Sequence, residues 1–342
     1  MTDTERGEPA MQIGPVIRRI VAKLPALLAL LALVHPLARV LARWDWRLDL
    51  LTHFQEAALA VTILAAAAML LTRRRRVAVA LLALAAFQVE PVVRYSFRNP
   101  VAPRAKAPRL RLLMANVLVD NHNHAALARL IREQDPDVVG LVEVSAEWAV
   151  ALAEVSRAYP YRINYAFNAQ GLSLWFKEKP YRVDLPALPT PEGWPYLRAT
   201  FRFAGETRRL WLIHPASPMR RMGRFAGNPE LASLADRIRE DGGSAIVIGD
   251  FNTTDGSPYF RDFAATTGLR DSRLGFGRQG SWPVGSPYRI AIDHAFVSDD
   301  LAVVARRLGP PIGSDHRPII LDLAPAAKAE KIGAAQASAS AK

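Results

Sequence analysis

The sequence predicts an α/β domain of packed, layered sheets that follows an N-terminal helical membrane segment. Two observations lead to this prediction. Three long apolar runs lie within the first hundred of the 342 residues. From residue 109 to residue 324, short apolar stretches of strand length alternate with helical stretches. The chain contains no cysteine, which excludes disulfides and thiolate metal sites.

The first part of the chain has the composition of a membrane domain. Residues 1–15 are polar and are expected to be disordered. Residues 16–95 are expected to form three transmembrane helices, at about 22–42, 54–72 and 77–95, because a bilayer core is spanned by about 20 apolar residues. The alternative is a soluble helical bundle rich in Ala and Leu, but such helices would show a polar face that these runs largely lack.

Basic residues around the apolar runs predict the orientation in the membrane. Residues 73–76 are four consecutive arginines between the second and third runs, and such a loop stays on the cytoplasmic side. The chain after about residue 95 then lies outside the cytoplasm, although Arg39, Arg43 and Arg47 fall on the outer side and argue against this orientation. Residues 96–108 are rich in proline and basic residues and are expected to form a linker.

Net charge argues against a nucleic-acid surface. The whole chain carries a formal charge of +12. Most of the excess flanks the apolar runs, and residues 105–324 carry only +3. Nucleic acid is therefore not the favoured partner.

Apolar runs between turn residues define the elements of the second domain. Strands are predicted at residues 110–117, 137–142, 172–176, 197–203, 210–214, 245–248, 290–297 and 319–323, and helices at 122–133, 146–157, 230–240 and 259–267. Residues 325–342 are an Ala/Lys-rich tail that is expected to be disordered.

Polar side chains stand at the tips of several predicted strands. The strand at 245–248 ends in a glycine turn that carries Asp250 and Asn252, and open sheets place their ligand sites beyond the ends of strands. One such residue is usually a turn former or a helix cap. The remaining strand-tip residues of this kind are Asn116, Glu143, His214, Asp293, His294, Asp315 and His316, and so many together indicate a site for chemistry.

These residues lie in short motifs that resemble the endonuclease/exonuclease/phosphatase superfamily. The motifs are MANV (114–117), DPDVVGLVE (135–143), IH (213–214), GDFN (249–252), IDH (292–294) and GSDHRP (313–318). The resemblance covers residues 109–324 and implies an α/β (α+β) four-layer sandwich, with two packed β-sheets flanked by helices. The order of the parts also resembles a bacterial membrane-anchored subgroup, which implies a multi-pass protein of the inner membrane with its catalytic domain on the periplasmic side.

The resemblance implies a metal-dependent hydrolase of phosphate esters. Mg²⁺, for which Mn²⁺ is a substitute, prefers oxygen ligands. Glu143 is the expected principal ligand, with Asn116 beside it and Asp315 on the opposite edge of the site.

The resemblance also assigns the catalytic roles. His316 would be a histidine held in the right tautomer by Asp293. Asp250 would orient or deprotonate the attacking water, and proton transfer is assigned jointly to His316 and Asp250. Asn252 would help to place the water and bind a phosphoryl oxygen, and His214 would donate to a non-bridging oxygen.

Some features near the site leave alternatives open. Arg220, Arg221 and Arg224 would clamp an additional phosphate or simply begin a solvated helix. His294 is interpreted as structural. Trp282, in a Gly/Pro-rich loop, would stack on a base, face a lipid or pack the loop.

The favoured function is a membrane-anchored, Mg²⁺-dependent phosphoesterase that cleaves phosphodiester or phosphomonoester bonds of a substrate near the bilayer, such as a lipid or a nucleotide. The alternatives are a nuclease acting on DNA or RNA, and a catalytically inactive membrane sensor or scaffold. The sequence leaves the oligomeric state open.

Overall fold

Four helices form the N-terminal segment of the protein. The computed structural model describes residues 13–97, 100–188, 193–221 and 228–327. The helices are α1 (Ile13–Leu41), α2 (Trp46–Leu51), α3 (Gln55–Leu71) and α4 (Arg75–Phe97). Helix α3 packs between α1 and α4, and the contact surfaces consist largely of small residues such as Ala32, Ala65 and Ala78.

Only one described helix is long and apolar enough to cross a membrane. This is α1, over Lys23–Leu41, with a mean hydropathy of 2.0. Helix α3 is apolar but has only 17 residues, and α4 contains both Glu90 and Arg94. The expectation of three transmembrane helices is therefore not supported, because two of the apolar runs are too short or too charged.

Large apolar side chains of all three long helices are exposed. Examples are Leu37 on α1, Leu64 on α3 and Phe87 on α4. This arrangement is the inverse of a soluble bundle, in which large apolar residues lie inside.

The rest of the described chain forms two six-stranded mixed sheets. The first sheet has the strand order β11-β12-β1-β2-β4-β3, and the second has the order β5-β6-β7-β8-β10-β9. The strands are β1 (Leu110–Asn116), β2 (Val138–Val142), β3 (Tyr161–Tyr165), β4 (Leu172–Phe176), β5 (Arg182–Asp184), β6 (Leu197–Phe203), β7 (Glu206–Ile213), β8 (Ala245–Asp250), β9 (Arg270–Asp271), β10 (Asp293–Val297), β11 (Leu301–Leu308) and β12 (Ile319–Pro325).

Helices cover the outer faces of both sheets. They are α5 (His124–Gln134), α6 (Ala146–Ala151), α8 (Pro229–Asp241) and α9 (Pro258–Thr267), and a short helix, α7 (Pro218–Arg221), precedes α8. One apolar core lies between the sheets, a second lies under α5 and α6, and a third lies under α8 and α9. The prediction of two packed sheets flanked by helices is confirmed.

Local capping signals explain where α8 and α9, the helices that cover the second sheet, begin. The side chain of Asn228 accepts a hydrogen bond from the Leu231 amide, and Ser257 accepts one from the Tyr259 amide. A proline follows each cap at the first helical position, where its missing N–H is not needed. These two helices hold β8 and its polar tip in place from the outer face.

Candidate active site

The two sheets bring the strand-tip residues to one edge. Asn116 ends β1 and Glu143 follows β2, which is parallel to β1. In the second sheet β7 and β8 are also parallel, so His214 and Asp250 leave at the same edge. Strand β10 is antiparallel to β8, and its first residue, Asp293, lies directly opposite Asp250. Asp315 and His316 lie in the loop before β12.

The backbone around the site has unusual conformations. Glu143 and Asn252 have φ values of 61° and 51°, a left-handed region that non-glycine residues seldom occupy. Gly249 has a φ of 154°, and a Cβ there would lie 1.9 Å from the Ile213 carbonyl oxygen. The glycine thus permits the close approach of β7 to the tip of β8. Strain of this kind concentrates at functional sites.

His316 and Asp293 form a buried dyad. The His316 Nδ1 atom lies 2.8 Å from Asp293 Oδ2, within the hydrogen-bond distance that the sequence predicts. Burial lowers the pKa of His316, but the carboxylates of Asp293, Asp250 and Asp315 outweigh it and raise the pKa to about 10. The same pairing overcomes burial and lowers the pKa of Asp293. At neutral pH the pair is therefore an imidazolium and a carboxylate.

Asp250 stands at the centre of the site. Its Oδ1 accepts a hydrogen bond from the Asn252 amide at 2.8 Å, and its Oδ2 accepts one from Asn116 Nδ2 at 3.0 Å. The Oδ2 atom is 3.7 Å from His316 Nε2. Burial raises the pKa of Asp250 to about 7 against the opposing effect of His316. This carboxyl group can therefore gain or lose a proton near neutral pH.

His214 is a neutral imidazole under the same conditions. Its Nε2 atom is 3.8 Å from both Glu143 Oε1 and Asp250 Oδ2, and its ring packs edge-on against Trp194. Burial lowers the pKa of His214 to about 4. A neutral imidazole still has one N–H group to donate.

The oxygen-rich part of the site fits a divalent cation. The donor atoms of Glu143, His214 and Asp250 all lie within 4.8 Å of one another. On the opposite edge, Asp315 Oδ2 accepts a hydrogen bond from Trp282 Nε1 at 2.8 Å. The Asp315 Oδ1 atom is buried without a hydrogen-bond partner in the described part of the chain. A buried carboxylate oxygen of this kind is suited to a cation.

Asn116 lies among these carboxylates, but with its nitrogen towards them. Its Nδ2 donates to Glu143 Oε1 and Asp250 Oδ2, each at 3.0 Å. Its oxygen accepts a hydrogen bond from the Leu118 amide. In this orientation Asn116 positions the carboxylates, and acting as a metal ligand would require the amide to rotate.

Asn252 and His294 are held by the backbone. The Nδ2 atom of Asn252 donates to the Pro215 carbonyl. His294 is fully buried, contacts the rings of Phe251 and Phe260, and its Nε2 atom lies 2.8 Å from the Thr253 carbonyl oxygen. This packing agrees with the structural interpretation of His294.

A cavity of about 240 Å³ opens onto these groups. Its polar side consists of Glu143, His214, Asp250, Asn252, Asp315 and His316, and its apolar side includes Leu50, Trp194, Met219, Trp282, Ile290 and Ile292. Sequence reasoning named Trp282 without a role and did not find Leu50, His53 or Trp194. No signal in the sequence marks them, because they approach the site only in the folded chain.

The predicted phosphate clamp cannot be placed. Arg224 lies outside the described residues, and so do the side chains of Arg220 and Arg221, although their backbone belongs to α7.

A second group of potential ligands borders a surface cavity of about 620 Å³. It consists of His122, His124 and Glu147. His122 and Glu147 are exposed, and the hydrogen bond from His122 is the main cause that lowers the pKa of Glu147. The group of His122, His124 and Glu147 lacks a buried acid–base pair like His316 and Asp293. The 240 Å³ cavity is therefore the better candidate for catalysis.

Comparisons with known proteins agree on this region. A family model described as Endonuclease/Exonuclease/phosphatase family matches residues 115–316. A comparison with curated proteins gives no match. Among solved structures, truncated TDP2 from Caenorhabditis elegans is similar with a TM-score of 0.53 and 15% identity, over 63% of this chain and 98% of that one. An endonuclease/exonuclease/phosphatase from Bacteroides vulgatus is similar with a TM-score of 0.52 and 17% identity, over 64% of this chain and 99% of that one. At these identities the similarity shows the fold.

Proposed function

Because the chain belongs to the endonuclease/exonuclease/phosphatase family, we propose that it is a membrane-anchored, metal-dependent phosphoesterase that hydrolyses phosphodiester or phosphomonoester bonds. The observation that carries the proposal is the buried His316–Asp293 dyad, which faces Asp250 and the Glu143 carboxylate across a single cavity. An inactive scaffold would not need to keep this costly set of buried charges.

The residues of the chain divide the chemical work by their protonation states. Asp250, with a pKa raised to about 7, accepts the proton of the attacking water. His316 is an imidazolium, so it stabilises negative charge on the phosphoryl group or protonates the leaving oxygen. His214 donates its N–H group to a non-bridging oxygen, and Asn252 helps to place the water.

Glu143 and Asp315 would hold the divalent metal, Mg²⁺ or Mn²⁺. When bound, the metal supplies Lewis-acid stabilisation of the charge that develops on the phosphoryl oxygens. Asn116 then keeps Glu143 and Asp250 at a fixed separation through its two hydrogen bonds.

The N-terminal helices support membrane attachment. Helix α1 meets the length and hydropathy of a membrane-crossing helix. Helices α3 and α4, which are too short or too charged to be counted as spans, expose large apolar side chains beside α1 and pack through small residues, which suits contact with the lipid surface. The arginines at 73–76 favour a cytoplasmic position for the end of the N-terminal helical segment that is farthest from the catalytic domain. We therefore assign the catalytic domain to the periplasmic side of a bacterial-type inner membrane.

The function is tested with the full-length protein in detergent. Hydrolysis of bis(p-nitrophenyl) phosphate and p-nitrophenyl phosphate is measured with Mg²⁺, with Mn²⁺ and with a chelator, beside DNA and RNA substrates. We expect metal-dependent release of nitrophenol that is abolished in His316→Ala and retained in Glu206→Gln, an exposed control on β7. Activity that survives the chelator or the His316 substitution refutes the proposal, and faster cleavage of DNA or RNA favours the nuclease.

A further inference from the structure

The N-terminal segment is joined to the catalytic sandwich by buried polar contacts. We call residues 49–55, which comprise the end of α2, the turn after it and the first residue of α3, the corner segment. Within it, Asp49 Oδ1 accepts a hydrogen bond from Ser257 Oγ at 2.7 Å, and His53 Nδ1 lies 2.9 Å from Thr254 Oγ1. These four side chains are almost inaccessible to solvent. A flexible tether would not exclude water from such contacts.

The contacts hold the loop that continues from the catalytic tip of β8. Residues 253–257 directly follow Asn252, and all are buried. A Cβ on Gly256 would lie 1.9 Å from the Thr52 carbonyl oxygen, so only glycine permits the corner segment to approach this closely. Asn252 is thus tied to the corner segment through only two to five residues of backbone.

A buried charge cluster fixes the same loop from a second direction. The carboxylate of Asp255 has no exposed side-chain surface and contacts Arg273, Arg278 and Arg94. Gln55 Nε2 also donates to it at 3.2 Å. These cations overcome the effect of burial and hold the pKa of Asp255 well below its usual range. Arg94 belongs to α4 and Gln55 begins α3, so the ends of both helices share this cluster.

The corner segment also forms part of the catalytic cavity. Leu50 and His53 line it together with Glu143, Asp250 and His316. The His53 Nε2 atom is buried and has no hydrogen-bond partner within the described ranges. The apolar side of the cavity is therefore formed by Leu50 of the N-terminal segment together with Trp282 of the catalytic domain.

Residues next to the corner segment mark the depth of a membrane surface. Trp44, just after α1, is 78% exposed, Trp46 begins α2 and Arg47 lies beside them, whereas Arg43 is paired with Asp262 of α9. Tryptophan concentrates at the boundary between lipid and water, where arginine also reaches the headgroups. Helix α1 carries exposed apolar residues up to Val40. If α1 crosses the membrane, the cavity that begins at Leu50 would lie near the depth of lipid phosphate groups.

We propose that the substrate is a phosphate ester of a membrane lipid, and that Leu50 and His53 form a specificity-determining wall that receives its apolar part. The proposal rests on the phosphoesterase function argued above. In this arrangement the lipid phosphate enters the cavity from the membrane surface and reaches Asp250 and His316. The acyl chain of the same lipid lies against Leu50. His53 faces the polar atoms next to the ester as a neutral group, because burial lowers its pKa to about 4.

The experiment compares long-chain and short-chain versions of one headgroup. Full-length protein in mixed micelles is given dioleoyl or dihexanoyl phosphatidic acid, dioleoyl or dihexanoyl phosphatidylglycerol, and bis(p-nitrophenyl) phosphate as a soluble reference. We expect kcat/KM to be at least about tenfold higher for the long-chain member of the preferred pair, which corresponds to about 1.4 kcal/mol of apolar contact.

Substitution of the wall tests whether it is the cause. The ratio of interest is kcat/KM for the long-chain lipid divided by kcat/KM for bis(p-nitrophenyl) phosphate. Leu50→Glu is expected to lower this ratio by about tenfold, because the carboxylate replaces an apolar contact. Leu50→Met, which keeps an apolar side chain at this position, is expected to keep the ratio of the unmodified protein. Leu185→Glu, a partly exposed leucine of the sandwich outside the cavity, is the control and should keep the ratio of the unmodified protein. A ratio measured within one sample does not depend on how much of that sample is folded.

The outcomes separate the two proposals. Hydrolysis of bis(p-nitrophenyl) phosphate with no preference for long chains overturns the lipid substrate and leaves the phosphoesterase intact. An unchanged ratio in Leu50→Glu overturns the role of the corner segment. Absence of metal-dependent hydrolysis of every substrate overturns the proposed function itself.

Discussion

Replacing Asp293 by asparagine tests the electrostatic basis of the proposed mechanism. The substitution keeps the size of the side chain and removes the negative charge that lies 2.8 Å from His316 Nδ1. Both residues are buried, so water cannot replace the lost interaction. Asp293 is the strongest of the groups that raise the pKa of His316.

The expected effect follows from the sign of each pKa change. Asp250 is a carboxylate only above its raised pKa of about 7, whereas His316 is an imidazolium only below about 10. The unmodified enzyme should therefore show a bell-shaped dependence of kcat/KM on pH between these limits. In Asp293→Asn the alkaline limb should move towards the ordinary histidine pKa of about 6.5. The maximum of kcat/KM should fall by about 10² to 10⁴, as expected when a buried histidine loses its carboxylate partner.

The assay is kcat/KM for bis(p-nitrophenyl) phosphate from pH 5 to pH 10, with saturating Mn²⁺ and the same protein concentration for each variant. Asp299→Asn, which neutralises an exposed carboxylate, is the control and should leave both limbs in place. An alkaline limb in Asp293→Asn that coincides with that of the unmodified protein would refute the assignment of His316 as a functional imidazolium.

Three further predictions concern the metal, the charge cluster and the membrane segment. Glu143→Gln should weaken Mn²⁺ binding by at least about tenfold in isothermal titration calorimetry, since a charged ligand is lost; unchanged affinity would remove Glu143 from the metal site. Asp255→Ala should destabilise the protein by about 3 kcal/mol in thermal unfolding, because it removes a buried carboxylate shared by three arginines, although Arg273 keeps Asp271 and Arg278 keeps Glu56. The exposed Asp236→Ala should change stability by less than about 0.5 kcal/mol. A fragment of residues 105–324 should unfold at a lower temperature than the full-length protein and turn over bis(p-nitrophenyl) phosphate more slowly; equal values for both would show that the corner segment is dispensable.

The strand-tip pattern located the candidate site because the sheet topology brings those tips together. Parallel neighbours such as β1 with β2, and β7 with β8, leave their polar ends at one edge. The resemblance to the family supplied the roles. It did not supply the orientation of Asn116, which depends on a hydrogen bond from the Leu118 amide.

Elements without a clear apolar pattern were not found from the sequence. Strand β3 (Tyr161–Tyr165) is at the edge of its sheet and mostly exposed, so few of its residues need to be apolar. Strand β11 (Leu301–Leu308) contains Arg306, which is buried because it bonds to Ser272 and Gln279. A buried arginine interrupts the pattern that sequence reasoning uses to recognise strands.

The division of the chain into a membrane domain, a linker and a catalytic domain follows composition, but the folded protein is organised differently. Composition separates Gln55 and Arg94 from Asp255 by more than 150 positions, yet all three meet in one buried cluster. Buried charges of this kind are stable only when every partner is present. The ends of α3 and α4 therefore contribute to the stability of the loop after Asn252. Leu50 and His53 of the N-terminal segment line the same cavity as Asp250 and His316, and this shared lining is the physical reason to propose a lipid ester at the site.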